Sequence, residues 1–361
     1  MEYNYSNVDD FMKAYKQDNI GFPYKTRTKE EIHEMFHKLQ NYKVGTRIVH
    51  TNYTIRNVPI SNDRMLFRDK YYIIQTLESD YNDWNILSDM FQEHCRMECT
   101  IMNNPSPLSV WLNNTREVAT KCLELYNSIT PHNLRETIYK MAKECTSHRP
   151  SNIMSMIQLF NSKSVLDISS GWGDRLIGAM ASNVNYLGVD PNKCLHEGYN
   201  NIINEFKQYT DKHYQVLEGE FEKIDFHDLY NKKIIKNITF DLVYTSPPYF
   251  NLEIYTDKSP QSTSNYSEED QWFNLFLKVA LKNAWNLLQD NGVMAININQ
   301  KRGENYVQRM IEYIDTLNGA IYLGCISYAN TRLDNPQPIW CWKKNTKYSK
   351  YKQKYLNLKN S

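Results

Sequence analysis

Two short stretches hold the residue types and spacings that could do chemistry. The first is Asp167-Ile168-Ser169-Ser170-Gly171-Trp172-Gly173-Asp174-Arg175, a D-x-x-x-G-x-G turn between an apolar run and a helical stretch. Glycines at such a turn let the backbone close on a ligand at the carboxyl ends of the strands. Asp190 ends the next apolar run, 23 residues after Asp167. A carboxylate there can accept hydrogen bonds from both hydroxyls of a ribose. A dinucleotide would want a third glycine where Leu176 stands. Asp167 would also repel a pyrophosphate, whereas it suits the ammonium of an amino-acid moiety. These residues favour S-adenosylmethionine (SAM) over NAD.

The second stretch is Tyr244-Thr245-Ser246-Pro247-Pro248-Tyr249-Phe250. Two prolines stiffen the turn and remove backbone donors, leaving carbonyls free to accept. Ser246 and a neighbouring carbonyl can hold the hydrogens of an amine and aim its lone pair. Tyr249 offers a flat face to a base taken out of its stack.

The elements around these stretches change near Arg149-Pro150. Residues 1–145 read as a mostly helical domain. Thr28-Lys29-Glu30-Glu31 fits a capping box ahead of the stripe Ile32, Met35, Phe36 and Leu39. Ile86, Leu87, Met90 and Phe91 form a second stripe, and helices are expected over 110–126 and 133–143. Residues 44–75 are consistent with a short hairpin. After residue 145, strands at 164–167, 186–190, 214–217, 240–244 and 292–297 alternate with helices. A final strand pair at 319–326 and 338–342 follows. This rhythm predicts a doubly wound α/β sheet.

The ordered pair DISSGWG and TSPPYF, about 80 residues apart, resembles the SAM-dependent amino-group methyltransferases of nucleic acids. Those enzymes modify cytosine N4 or adenine N6. The resemblance covers roughly residues 146–342 and implies a Rossmann-like class I methyltransferase sheet. It implies cofactor binding by Asp167, Ser169, Gly171, Gly173 and Asp190, with Glu220 at the adenine edge. It implies catalysis by Ser246, Pro247, Pro248 and Tyr249, with Tyr249 and Phe250 against the target base. It also sets Thr146–Pro150 against the methionine end of SAM. Direct transfer needs no covalent enzyme intermediate, and no Pro-Cys pair of the cytosine-C5 type is present. Serine at the first signature position leans toward cytosine N4. Nucleic acid is the expected partner, DNA ahead of RNA. An RNA base, a protein amide, or a non-catalytic role in presenting nucleic acid are the alternatives.

Composition excludes disorder, collagen and disulfide miniproteins: 361 residues are 41% hydrophobic and 23% charged. No apolar run approaches the roughly 20 residues of a membrane helix. The net charge of +1 hides seven lysines in residues 343–361, which leave the rest of the chain at −6. That Lys/Tyr tail could neutralise phosphates and stack on bases. Seven scattered cysteines read as free thiols in a reducing, intracellular setting: cytoplasm, nucleus or the cytoplasm of an infected host. Homo- or hetero-oligomers are both open. No metal is expected. His33-Glu34-Met35-Phe36-His37 has the H-E-x-x-H spacing, but its apolar positions mark an amphipathic helix. His94, Cys95 and Cys99 lack a second pair.

Overall fold

The computed structural model describes residues 2–44, 48–75, 87–102, 104–255, 260–329 and 336–347. Ile86 of the second stripe and most of the lysine tail lie outside these residues.

The N-terminal helices are α1 (Val8–Gln17), α2 (Lys29–Gln40), α3 (Asp89–Arg96), α4 (Pro107–Tyr126) and α5 (Pro131–Met141). Local sequence starts each of the best-defined ones. Thr28 and Glu31 close the expected capping box on α2. Ser106 and Thr130 cap α4 and α5, each with proline at the first helical position. Phe11, Trp111, Val118, Leu134 and Ile138 give α1, α4 and α5 a core of their own.

Nine strands form one sheet. In chain order they are β1 (Ile48–Val49), β2 (Ile73–Gln75), β4 (Ser164–Asp167), β5 (Asn185–Asp190), β6 (Tyr214–Glu218), β7 (Phe240–Thr245), β9 (Leu288–Asn297), β10 (Ala320–Ala329) and β11 (Gln337–Lys344). Thr100–Ile101 (β3) and Glu253–Ile254 (β8) make a separate antiparallel ribbon. The sheet order is β1-β2-β10-β11-β9-β7-β4-β5-β6. From β4 the chain winds outward through β5 and β6, then restarts at β7 on the other side. Only β11 and the edge strand β1 run against their neighbours. This is a doubly wound, Rossmann-like sheet, and its switch point lies between β4 and β7.

The strands are buried on both faces, so they read as continuous apolar runs. Val165 and Leu242 face one core with helices α6 (Pro150–Phe160), α7 (Asp174–Ala181) and α8 (His196–Phe206). Leu166 and Val243 face the other, with Trp272, Leu281, Met310 and Ile314.

Four findings depart from the sequence expectations. First, residues 44–75 hold antiparallel pairs, β1 with β2 and Phe67 with Lys70, but the segment is not confined to them. β2 adds to the sheet in parallel beside β10, pairing Ile73 with Ser327. The segment before residue 145 therefore belongs in part to the same sheet. Second, the basic tail begins later than residue 343. Lys343 and Lys344 are in β11, and Lys344 Nζ donates to the carbonyls of Trp285 and Leu288 at 2.7 and 2.6 Å. Third, four cysteines are not free: Cys95 is bonded to Cys194 and Cys99 to Cys145. Cys95 lies in the last turn of α3 and Cys99 follows it by four residues, and the fold brings their partners to them from far along the chain. Cys122, Cys325 and Cys341 are free and buried. Fourth, Phe250 is a core residue, as described below.

The H-E-x-x-H histidines serve packing. His33 Nε2 meets Glu205 Oε1 at 2.6 Å, and His37 Nδ1 meets Gln40 Oε1 at 3.0 Å. Among the described residues no helix is long and apolar enough to cross a membrane.

Candidate active site

The turn after β4 is held from beneath. Asp167 is fully buried, and its Oδ2 accepts from Arg175 Nε at 2.6 Å and from the Tyr186 hydroxyl at 2.7 Å. Arg175 also donates to the Ser169 carbonyl, and Tyr199 to the Gly171 carbonyl. Gly173 has φ +89°, and a Cβ there would meet Ile202 Cδ1 at 2.8 Å. The positive φ favours glycine, and the Ile202 methyl would have to shift to admit a Cβ.

Asp190 ends β5 beside this turn. Its Oδ2 accepts from the Gly171 amide at 2.8 Å and its Oδ1 from the Asn192 amide at 3.0 Å. Burial outweighs these donors and pushes its carboxyl up to about 6. Asp174 is likewise pushed up to about 6 by burial, although the hydroxyls of Ser88 and Ser147 both donate to it at 2.6 Å.

Strand β7 delivers Ser246-Pro247-Pro248-Tyr249 next to β4, at the switch point. The Tyr249 hydroxyl, pushed up to about 12 by burial, lies 3.5 Å from the Asn297 carbonyl at the end of β9. The turn closes with the Leu252 amide on the Tyr249 carbonyl at 3.0 Å. Phe250 has φ +43°, a left-handed conformation that is an outlier for an aromatic residue. That backbone turn drives its ring into the core against Trp272, 5.6 Å between centroids. Phe250 is thus not placed to touch a substrate.

One cavity of about 1330 Å³ opens over these ends. A single small-molecule pocket is roughly 300–1,000 Å³, so there is room for a cofactor and a second reactant. Of the residues expected at the site, Ser169, Gly171, Asp190, Glu220, Ser246, Pro247, Pro248 and Tyr249 line it. Asp167 and Gly173 lie behind the lining and shape the turn. Asp167 faces Arg175, so the expected role on an ammonium group does not fit its placement. Glu220 sits on the lip, where Lys223 Nζ reaches its Oε2 at 2.5 Å.

The cavity also gathers residues that the two motifs did not disclose. Thr146, Ser147, His148 and Arg149 line it, and Asn152 lies one turn further. Asn152 Oδ1 is buried and has no hydrogen-bond partner among the described residues. His148 Nε2 pairs with the Tyr244 hydroxyl at 2.8 Å. Burial and the nearby Arg175 hold this imidazole well below its ordinary value, and therefore neutral. Glu253, Tyr255 and Trp172 form another wall. The helical layer contributes Lys25, Arg27, His132, Arg135 and Lys143. Their only sequence signal is isolated charge, because the fold alone brings them to the cavity.

No protein-family model matches the chain, and no curated protein matches it. Among solved structures, a methyltransferase from Pyrococcus furiosus is 17% identical, covering 54% of this chain and 83% of its own, with a TM-score of 0.36. An O-methyltransferase from Bacillus cereus in complex with SAH is 9% identical over 66% of this chain and 96% of its own, TM-score 0.36. The N-methyltransferase NodS from Bradyrhizobium japonicum is 9% identical over 54% and 94%, TM-score 0.34. Identities and scores this low carry no argument about chemistry.

Proposed function

We propose that the chain transfers a methyl group from SAM to an exocyclic amino group of a nucleic-acid base, with DNA ahead of RNA. One observation carries this reading. The ribose-type acid Asp190 and the acceptor-rich Ser246–Tyr249 turn open onto one cavity large enough for two reactants.

The cofactor would supply an electrophilic methyl carbon. Asp190 is built to accept from the two ribose hydroxyls. Gly171 lets the backbone approach closely, and Asn152 Oδ1, buried without a partner among the described residues, can take an ammonium hydrogen. On the other side, Ser246 and the carbonyls that the prolines leave free hold the amine, and Tyr249 stacks on its ring. As the nitrogen lone pair forms the new N–C bond, the pair of the broken S–C bond stays on sulfur. The extra proton on the methylated nitrogen leaves to water. Catalysis is then positioning more than acid–base chemistry, which suits a site whose histidine is held neutral.

Arg27, Arg135, Lys143 and Arg149 line the cavity and are available to a phosphate backbone, in a lining that also carries Glu136, Glu144 and Glu222. Such cations position a phosphate backbone while the base enters. The test is transfer of labelled methyl from SAM to separate DNA, RNA and protein pools, followed by mass spectrometry of the products. Methylcytosine or methyladenine from DNA is expected. Label confined to protein, or no transfer by the wild type, would overturn the reading.

A further inference from the structure

Resting on that reading, we propose that Glu253 reads the target base, its carboxyl hydrogen-bonding both the ring nitrogen and the amino group of an N=C–NH2 edge. Cytosine and adenine present this edge.

The backbone of Glu253 is fixed independently of any ligand. β8 pairs antiparallel with β3, setting Glu253 opposite Ile101, and the Met102 amide donates to the Leu252 carbonyl at 3.2 Å. Strand alternation turns Ile254 outward and Glu253 into the cavity that holds Ser246–Tyr249. The side chain is fixed as well. Glu253 Oε2 accepts from the Tyr255 hydroxyl at 2.7 Å, and the Tyr255 ring packs edge-on against Trp172 at 5.9 Å. A rigid carboxyl therefore stands in the same chamber as the turn that would hold the amine.

Glu253 makes no ion pair among the described residues. The groups facing it are the hydroxyls of Tyr249 and Tyr255, the Lys143 ammonium at longer range and the Thr146 amide. Burial is the largest influence and raises its pKa above the ordinary carboxyl value; the proposed contact uses its neutral form. A neutral carboxyl offers one donor and one acceptor. The donor suits cytosine N3 or adenine N1, and the acceptor takes one amino hydrogen. The second amino hydrogen remains for the Ser246–Pro248 edge. Guanine presents two donors on the corresponding edge, so the neutral acid disfavours it.

The test compares wild type, Glu253→Gln and Glu253→Ala, with mixed-sequence DNA and RNA as acceptors, across pH. S-adenosylhomocysteine (SAH) affinity by calorimetry and thermal melting serve as folding controls. Glutamine keeps one donor and one acceptor but does not titrate. Glu253→Ala should lower kcat/KM about 10- to 100-fold, with SAH affinity unchanged. Wild-type activity should fall as pH rises through the Glu253 pKa. Glu253→Gln should keep most of the activity and lose that alkaline limb. A Gln variant as weak as Ala, or an Ala variant as active as wild type, overturns the proposal and leaves the methyltransferase reading standing. A wild type that methylates neither nucleic acid overturns both.

Discussion

The Gly171 amide donates to Asp190 Oδ2 across 2.8 Å, so the turn after β4 and the end of β5 are tied directly together. The carboxylate proposed to bind ribose is held in place by the glycine turn itself. Replacing Asp190 with asparagine keeps the size but removes the charge and one acceptor. Hydrogen bonds to charged groups contribute about 1.5–3 kcal/mol, so SAH affinity by calorimetry should fall on the order of 10- to 100-fold. Unchanged affinity would end the ribose assignment.

The same carboxyl gives a pH dependence. Asp190 titrates near 6 in the folded protein, and only its ionised form accepts from two hydroxyls. SAH affinity should therefore weaken as pH falls below about 6, and Asp190→Asn should flatten this dependence. Stability of the protein without cofactor should move the opposite way. Asp174 and Asp190 both have folded values near 6, above the ordinary 3.8. Between those values the folded state binds more protons than the unfolded one, so stability rises as pH falls. Urea titrations at pH 7 and pH 5 check the sign.

In the second motif, Tyr249→Ala removes the stacking face and Ser246→Ala an acceptor. Base–aromatic stacking contributes about 1–3 kcal/mol per base, so Tyr249→Ala should raise the KM for nucleic acid by about tenfold or more. Ser246→Ala should act mainly on kcat. Neither should change SAH affinity. If both variants methylate every acceptor at the wild-type rate, the turn is not the reacting site.

Arg175 and Asp167 form an ion pair in which both side chains are almost fully buried. Arg175→Met would leave an uncompensated buried carboxylate, which costs about 3–5 kcal/mol. Denaturant unfolding should show a loss of that order, and a loss below about 1 kcal/mol would show that water relieves Asp167.

The cysteines give a stability prediction with no counterpart in the sequence reading. The bonded pairs close segments of 99 and 46 residues. Reduction should cost about 2–4 kcal/mol per bond, seen as a lower Tm in the presence of a thiol reductant. A Tm that does not respond would mean that the pairs do not contribute.

The residues that line the cavity at strand ends were legible because their types, order and spacing are local. Gly171, Asp190, Ser246 and Tyr249 each follow a continuous apolar run, and such runs are easy to read. What stayed hidden depends on partners far along the chain. Asp167 looks like a ligand until Arg175 is seen beneath it. Phe250 looks like part of the reacting turn until its left-handed backbone sends the ring inward. β2 is three residues long, too short for a period to declare that it lies beside β10. The four bonded cysteines are scattered in sequence and adjacent only in the fold.

The β3–β8 ribbon and the seating of β2 beside β10 limit modularity. Residues 146–347 are not an interchangeable cassette to which a different N-terminal segment could be attached. Removing the first 145 residues would strip the partner from the strand carrying Glu253 and expose the edge of β10, inviting strand-to-strand aggregation. Exchanging the first 145 residues would therefore disturb both the ribbon that carries Glu253 and the sheet edge at β10.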